Sequence, residues 1–242
     1  MASKPFQFRQ FSVADDRCAH KVGTDAVLLG TWVRVPANDI SVLDVGTGCG
    51  VIALILAQRT SDATSVHAIE ISEADAMQAA ENVANSPWSH RVTVFHQALQ
   101  DFSPHEPYDL VVSNPPYFVN SLLPPGKQRS RARHTLDLSF ESLIESGNRL
   151  LKDEGRLALI LPPAEAGTFN GLATRYGMRC LRRTLFHSKH GRPAERVLME
   201  WAKTGVPEPD THLVLCGADG NWSAEYRALT RDFYLRSADP AV

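Results

Sequence analysis

The chain has 242 residues, a net charge of −2 and a hydrophobic fraction of 43%. This length suits one large α/β domain, or a domain with a small appendage, and it is ample for a sizeable core. The nearly balanced charge excludes a general attraction to nucleic acid, so any such binding must come from a local excess of positive charge.

The four cysteines, Cys18, Cys49, Cys180 and Cys216, form no C-x-x-C pair and match no zinc-ribbon spacing. We therefore expect reduced thiols and no metal site. The first residues lead into no apolar signal segment, and no run approaches the ~20 apolar residues of a membrane span. These observations predict a cytoplasmic enzyme with no membrane partner.

Strands and helices alternate along most of the chain. Residues 1–30 precede the first sheet strand and are expected to cover one edge of a ligand site. The next elements are predicted as strands at 41–45, 65–71, 91–96, 108–113 and 156–161, with helices at 51–59, 73–85, 139–151 and 164–176. This alternation is typical of a parallel sheet covered by helices on both faces.

Two strand-like runs, 179–187 and 195–203, follow the last of these helices and are separated by a polar turn containing Gly191 and Pro193. They predict a hairpin that adds one antiparallel strand to the sheet. The predicted fold is α/β and doubly wound, with a mostly parallel seven-stranded sheet. We interpret 1–242 as one domain, with an N-terminal cap at 1–38, a core at 39–203, and an appendage at 204–242 that holds a strand at 212–216 and a helix starting near Ser223.

A glycine-rich loop follows the strand at 41–45, with the sequence Asp44-Val-Gly46-Thr-Gly48-Cys-Gly50. Glycines between a strand and a helix allow a sharp turn and the close approach of a ligand. Asp44 would repel the pyrophosphate of a dinucleotide, but it would attract the ammonium group of S-adenosylmethionine. Glu70 ends the next strand, where a carboxylate can accept both ribose hydroxyls. The alternative is that Asp44 caps the helix and Glu70 is a solvated strand end.

The strand at 91–96 ends where an adenine ring would lie. Ala98 and Leu99 follow it, and Ala98 holds a position at which an acid often accepts from the adenine amino group. Gln97, Asp101 or a backbone carbonyl must then take over that hydrogen bond, or the bond is missing.

The strand at 108–113 leads directly into Asn114-Pro115-Pro116-Tyr117. The prolines fix two φ angles and remove two N–H donors, and Pro115 restricts Asn114 to extended geometry. The resulting stiff loop carries acceptors for an –NH₂ group in the Asn114 side chain and a proline carbonyl. Tyr117 offers a face on which a base can stack. In isolation, the same tetrapeptide is also compatible with a simple turn.

These motifs resemble the class I S-adenosylmethionine-dependent amino-methyltransferases, whose fold is Rossmann-like. Three further segments resemble one narrower family, the enzymes that methylate N6 of adenine 37 in a valine tRNA. They are Cys18–Gly30, Asn85–Trp88, and Asn221–Tyr226 with Phe233–Leu235.

The resemblance runs from about residue 6 to residue 236. It implies catalysis by the Asn114–Tyr117 loop, and it implies that tRNA is the substrate. We expect a monomer, although the resemblance does not determine the oligomeric state. It also implies a cofactor site for S-adenosylmethionine formed by Lys21, Thr24, Asp44, Gly46, Gly48, Gly50, Glu70, Ala98, Leu99 and Asn114.

Positive charge is concentrated after the tetrapeptide and again near the predicted hairpin. Local excess of this kind is what phosphate contacts require, although a solvated loop is the alternative. The RNA-binding residues predicted from it are Lys127, Arg129, Arg131, Arg133, Arg192 and Arg196.

Three other functions remain open from the sequence. The same tetrapeptide occurs in enzymes that methylate a glutamine amide of release factors, and guanine N2 in ribosomal RNA is another amino acceptor. A nucleotide-binding protein without transfer activity is the third alternative.

Overall fold

The structure is a computed structural model that describes residues 4–36, 39–117 and 138–235. An eight-stranded sheet carries helices on both faces, and a two-stranded ribbon lies beside it. The strands are β1 (Phe6–Gln7), β2 (Ser12–Val13), β3 (Ser41–Val45), β4 (Ser65–Glu70), β5 (Val92–His96), β6 (Tyr108–Ser113), β7 (Leu151–Leu161), β8 (Arg179–Lys189), β9 (Arg196–Ala202) and β10 (Thr211–Cys216). The helices are α1 (Thr24–Trp32), α2 (Val51–Arg59), α3 (Glu73–Ala84), α4 (Phe140–Leu150), α5 (Pro163–Arg175) and α6 (Ala224–Thr230).

The order of strands in the large sheet is β10-β8-β9-β7-β6-β3-β4-β5. Only β9 runs against its neighbours, because it pairs antiparallel with both β7 and β8 while the other pairs in this sheet are parallel. The predicted doubly wound class with one antiparallel hairpin strand is confirmed.

Two details of the sheet differ from the prediction. It has eight strands because β10 of the C-terminal segment pairs in parallel with β8, whose outer edge would otherwise be open. Strand β7 begins at Leu151 rather than 156, and its pairing with β6 shifts register between Tyr108 and Leu110. The first part of β7 is polar and contains a glycine, so the sequence pattern does not indicate a strand there.

The buried residues form two groups, one on each face of the sheet. One group includes Leu28, Leu54 and Ile55 of α1 and α2, and the other includes Phe140 and Phe169 of α4 and α5. The apolar runs of β3, β6 and β7 contribute to both groups, as expected for strands that are buried on both faces.

The two ends of the described chain lie together. Phe8 forms an isolated antiparallel bridge with Tyr234, and its ring stacks on Phe11 with centroids 4.4 Å apart. The Arg9 side chain donates to the Tyr234 carbonyl at 2.8 Å. The N-terminal segment is therefore fastened by the C-terminal segment.

Candidate active site

The carboxyl ends of four neighbouring strands place the predicted motifs side by side. In the ladders, Val45 of β3 is opposite Ser113 of β6 and Ile69 of β4, and Glu70 of β4 is opposite His96 of β5. The segments that follow these strands begin at the same edge of the sheet. Ligands of open α/β sheets bind outside this edge.

The glycine loop turns through left-handed backbone at Gly46, Gly48 and Gly50, with φ of 69°, 55° and 85°. Its first N–H groups, those of Gly46 and Thr47, donate to the Ile69 carbonyl at 2.9 and 3.1 Å. A Cβ atom on Gly48 would meet no heavy atom within 4 Å. Its backbone conformation rather than crowding therefore accounts for glycine here, and open space lies above it.

Asp44 is fully buried beneath this loop. Its Oδ2 accepts from the Thr47 hydroxyl at 2.5 Å and from the Ala53 N–H in the first turn of α2 at 3.1 Å. Its Oδ1 has no hydrogen-bond partner among the described residues. Burial raises the pKa of Asp44 to about 7, although the two hydrogen bonds oppose that shift. Asp44 therefore caps α2 with one oxygen, and its other oxygen has no partner among the described residues.

Glu70 links the glycine loop to the start of α3. Its Oε2 accepts from the Gly48 N–H at 2.9 Å, and its Oε1 accepts from the Ser72 N–H at 3.0 Å. These bonds fix the carboxylate, and each oxygen keeps a second lone pair for a ligand hydroxyl.

A small, open cleft lies beside Glu70. Its lining residues are Val45, Gly46, Ile69, Glu70, Ile71, Gln97, Leu99, Gln100 and Leu138. Ala98 is not among the described residues that line it. The Gln97 Nε2 donates to the Asp101 carbonyl at 2.9 Å, which anchors this amide at the cleft. Gln97 and Gln100 are the polar groups where the sequence placed an adenine ring.

The loop after β6 is held to the glycine loop's strand by Ser113, whose hydroxyl donates to the Val45 carbonyl at 2.9 Å. Pro115 is buried and Pro116 is exposed, while Asn114 and Tyr117 are half-buried. The Tyr117 hydroxyl lies 3.0 Å from Asn114 Oδ1. The loop thus presents an amide beside the glycine loop.

Two residues from distant elements complete this corner. Asp25, in the first turn of α1, accepts from the Tyr117 hydroxyl at 2.7 Å through Oδ2. Arg196, the first residue of β9, donates to the same oxygen at 2.7 Å, and its guanidinium carbon lies 5.4 Å from the centroid of the Tyr117 ring. Burial raises the pKa of the Tyr117 hydroxyl, and the bond to Asp25 adds to that shift.

Asp25 was missing from the sequence-based site, although it ends the Lys21–Asp25 stretch that carries part of the resemblance. Lys21 and Thr24, the two predicted cofactor ligands in this stretch, are more exposed than Asp25. Lys21 is exposed, and its Nζ donates to the Asp15 carbonyl at 2.5 Å. Thr24 is exposed at the start of α1. The cofactor roles of these two residues remain predictions.

The predicted RNA contacts fall into three groups. Lys127, Arg129, Arg131 and Arg133 lie outside the described residues. Arg192 is exposed in the turn between β8 and β9, whereas Arg196 is paired with Asp25. Other basic side chains of this region are also paired. Arg182 contacts the buried Glu200, and Arg183 forms an ion pair with Asp210. Much of the apparent excess of charge near the hairpin is therefore neutralised within the fold.

Within 4–36, 39–117 and 138–235, no group of three or more His, Cys, Asp or Glu side chains is placed to hold a metal ion. In the same ranges, no helix has both the length and the apolar character needed to cross a membrane.

Two solved structures with a similar fold are methyltransferases. A predicted O-methyltransferase from Agrobacterium tumefaciens superposes with a TM-score of 0.70 at 20% identity, over 86% of this chain and 96% of that chain. A glycopeptide N-methyltransferase complexed with S-adenosyl-L-methionine gives a TM-score of 0.55 at 15% identity, over 77% of this chain and 90% of that chain. These likenesses confirm the Rossmann-like fold.

Sequence relatives are more similar and extend over the whole chain. The methyltransferase small domain family matches residues 20–167. A protein of Tolumonas auensis is 40% identical over 98% of this chain and 99% of its own length, and one of Phocaeicola vulgatus is 43% identical over 97% and 99%. Both are named tRNA1(Val) (adenine(37)-N6)-methyltransferase. The chain therefore belongs to the methyltransferase small domain family and, within it, to the family of the tRNA1(Val) (adenine(37)-N6)-methyltransferases.

Proposed function

We propose that the protein transfers a methyl group from S-adenosylmethionine to N6 of an adenine in tRNA, and that its target is adenine 37 of a valine tRNA. The observation that carries this proposal is the position of Asn114 at the carboxyl end of β6, directly beside the glycine loop that follows β3. The names of the full-length relatives support the choice of tRNA and of position 37.

The residues around the glycine loop fit S-adenosylmethionine. The unpartnered Oδ1 of Asp44 is a buried acceptor suited to a cationic group, and Glu70 has free lone pairs for ribose hydroxyls. The open space above Gly48 allows a ligand to approach the backbone. When bound, the cofactor supplies an electrophilic methyl group on a sulfonium.

The Asn114–Tyr117 loop supplies the acceptor half of the reaction. The lone pair of an aromatic amino nitrogen is delocalised into the ring, which makes the nitrogen a poor nucleophile. If the Asn114 oxygen and a proline carbonyl each accept one amino hydrogen, they draw the nitrogen toward tetrahedral geometry. They also stabilise the positive charge that develops on it. Holding the nitrogen in line with the methyl group lowers the barrier further.

No side chain needs to remove a proton before transfer, because the methylated ammonium is itself strongly acidic. We therefore assign no catalytic base. The adenine must leave its stack to reach the loop, and an anticodon loop allows this at modest cost.

We further propose that the enzyme works as a monomer in the cytoplasm and that residues 1–242 form one methyltransferase domain. The pairing of β10 with β8 and the bridge between Phe8 and Tyr234 support a single unit, because they fasten both end segments to the core.

Radiolabel transfer from S-adenosylmethionine into separate tRNA, rRNA and protein fractions tests the proposed function. We expect label in tRNA, released by nuclease digestion as N6-methyladenosine, and incorporation at a rate about 10²–10³-fold lower with the Asn114→Ala protein. Label in a release factor or in guanine of rRNA would identify one of the two alternative acceptors instead. Absence of transfer to all three fractions would leave the nucleotide-binding alternative.

A further inference from the structure

The Tyr117 hydroxyl has one hydrogen and two oxygen neighbours. Asp25 Oδ2 lies at 2.7 Å and Asn114 Oδ1 at 3.0 Å. A hydroxyl can donate to only one of them at a time. The other contact would then bring two oxygen lone pairs together, unless its partner supplies a hydrogen.

Asp25 is the stronger acceptor of the two. Its Oδ2 also accepts from Arg196 Nε at 2.7 Å, in an ion pair whose side chains are only 21% and 29% exposed. Asp25 is the carboxylate partner in this ion pair, and a hydrogen bond to a charged acceptor is stronger than one to a neutral amide. The Tyr117 hydroxyl therefore donates its hydrogen bond to Asp25.

This choice decides which end of the Asn114 amide faces Tyr117. An amide oxygen at 3.0 Å would meet a hydroxyl that has no hydrogen left to give. A half-turn of the amide about its Cβ–Cγ bond places Nδ2 there as a donor to the Tyr117 oxygen, and it turns Oδ1 away from Tyr117. The same half-turn leaves the Asn114 oxygen free to accept an amino hydrogen of the substrate.

We propose that Asp25 is a positioning residue for methyl transfer, which accepts the hydrogen bond of the Tyr117 hydroxyl and so directs the Asn114 amide oxygen toward the substrate amino group. Arg196 acts one step further out by holding Asp25. The catalytic part of this inference rests on the proposed function, because it assumes an amino acceptor at Asn114. It also gives Arg196 a task different from the RNA contact expected from its charge.

A double-mutant cycle between Asp25→Asn and Tyr117→Phe tests the chain of contacts, with kcat measured at saturating cofactor and tRNA. Both changes remove the same hydrogen bond between Tyr117 and Asp25. Each should therefore lower kcat by about tenfold, and the double variant should be no slower than the slower single variant. Thermal stability and the affinity for S-adenosylhomocysteine should stay close to those of the wild type. Wild-type kcat values in the single variants, or a double variant whose loss is the product of the two, would overturn the proposal.

Asp210→Asn is the matched control, because Asp210 is ion-paired with Arg183 at the amino end of β10, away from the acceptor loop. It should keep wild-type kcat. In a second cycle, Arg196→Met should lower kcat at saturating tRNA, and this loss should vanish in the Asp25→Asn background. If Arg196→Met raises only the KM for tRNA and leaves kcat unchanged, Arg196 binds RNA and its positioning role is overturned.

The orientation of the amide has a readout that needs no substrate. In ¹⁵N-labelled protein, the Asn114 side-chain NH₂ signal is identified by its loss in Asn114→Ala. Its hydrogens should exchange slowly with water in the wild type and faster in Tyr117→Phe and Asp25→Asn. Equal exchange rates in all three proteins would overturn the positioning role of Asp25, even if methyl transfer to tRNA is observed. Inactivity of the wild type on tRNA would contradict only the proposed function.

Discussion

The site has a donor half, formed by the glycine loop with Asp44 and Glu70, and an acceptor half, formed by the Asn114–Tyr117 loop with Asp25 and Arg196. The two halves are built in different ways. The donor half uses residues close in sequence, from Asp44 to Ser72, and three of its hydrogen bonds join a carboxylate to a backbone N–H. The acceptor half joins side chains 92 and 171 residues apart, in the Tyr117–Asp25 and Arg196–Asp25 contacts. A local, backbone-based site is determined by strand order and glycine positions. A site made of distant side chains depends on how α1, β6 and β9 pack.

The sharpest way to separate the two halves is to remove the Asn114 amide. Asn114→Ala should reduce kcat by about 10²–10³-fold, the size of effect seen when one preorganised polar group at a developing charge is lost. Binding of S-adenosylhomocysteine, measured by calorimetry, should change by no more than a few-fold, because Asp44 and Glu70 are untouched.

The matched control for that variant is Asn148→Ala, since Asn148 is a half-buried amide of α4 that donates to the Tyr176 carbonyl at the end of α5. It should keep full activity. Near-wild-type turnover by Asn114→Ala would remove Asn114 from the reaction and, with it, the distinction between the halves.

The converse change is Asp44→Asn in the donor half. It should weaken cofactor binding by about 10- to 100-fold, the equivalent of one charge-assisted hydrogen bond, while kcat at saturating cofactor changes much less. Isothermal titration gives the affinity, and steady-state kinetics give kcat. A drop in kcat with unchanged affinity would show that the two halves are not separable at this residue.

The same variant has a distinct pH signature. Burial raises the pKa of Asp44 to about 7, so the carboxyl is largely protonated at pH 6, and a cationic group binds the ionised form. Cofactor affinity should therefore rise from pH 6 to pH 8, with proton release, and Asp44→Asn should flatten that rise. Without cofactor, the folded state holds this proton more tightly than the unfolded state, whose Asp pKa is about 3.9. The contribution to stability is then complete below about pH 4 and is lost as the pH rises toward 7.

The sequence predicts phosphate contacts for the charged segment 127–133, which lies outside the described residues. Changing Arg129, Arg131 and Arg133 together to Gln should weaken tRNA binding by about tenfold at moderate salt and reduce the salt slope by about 2, because three phosphate contacts would be lost. Filter binding over a series of salt concentrations measures both quantities. Arg175→Gln, at the end of α5, is the single-charge control, and an unchanged slope in the triple variant would assign the segment no phosphate contacts.

The difference between the halves also explains what the sequence could predict. Asp44, Gly48 and Glu70 were identified because strand–loop–helix order alone puts them at one sheet edge. Asp25 was not, since nothing in a linear pattern shows that the first turn of α1 meets Tyr117. Arg196 was found for its charge and interpreted as an RNA contact, because its partner is 171 residues away. The sequence pattern predicts β10 as a strand. It does not predict the pairing of β10 with β8, because that pairing also joins segments that are distant in sequence.

The smallest effect should come from Gly48, and it tests whether the donor half depends on backbone alone. Gly48 and Gly177 both have left-handed backbone, with φ of 55° and 81°, and a Cβ atom on either would meet no heavy atom within 4 Å. Alanine at each position should therefore destabilise the fold by a similar amount, about 1–2 kcal/mol, and lower Tm by a few degrees.

Cofactor binding distinguishes these two glycines. Gly177 lies beyond the end of α5, so Gly177→Ala should leave the affinity for S-adenosylhomocysteine unchanged. Gly48→Ala adds a methyl group to the open space beside Glu70 and should weaken that affinity by several-fold at the same cost in Tm. Equal affinities in the two variants would mean that the ligand does not approach this part of the loop. The fit of the donor half would then rest on its two carboxylates rather than on the space left by glycine.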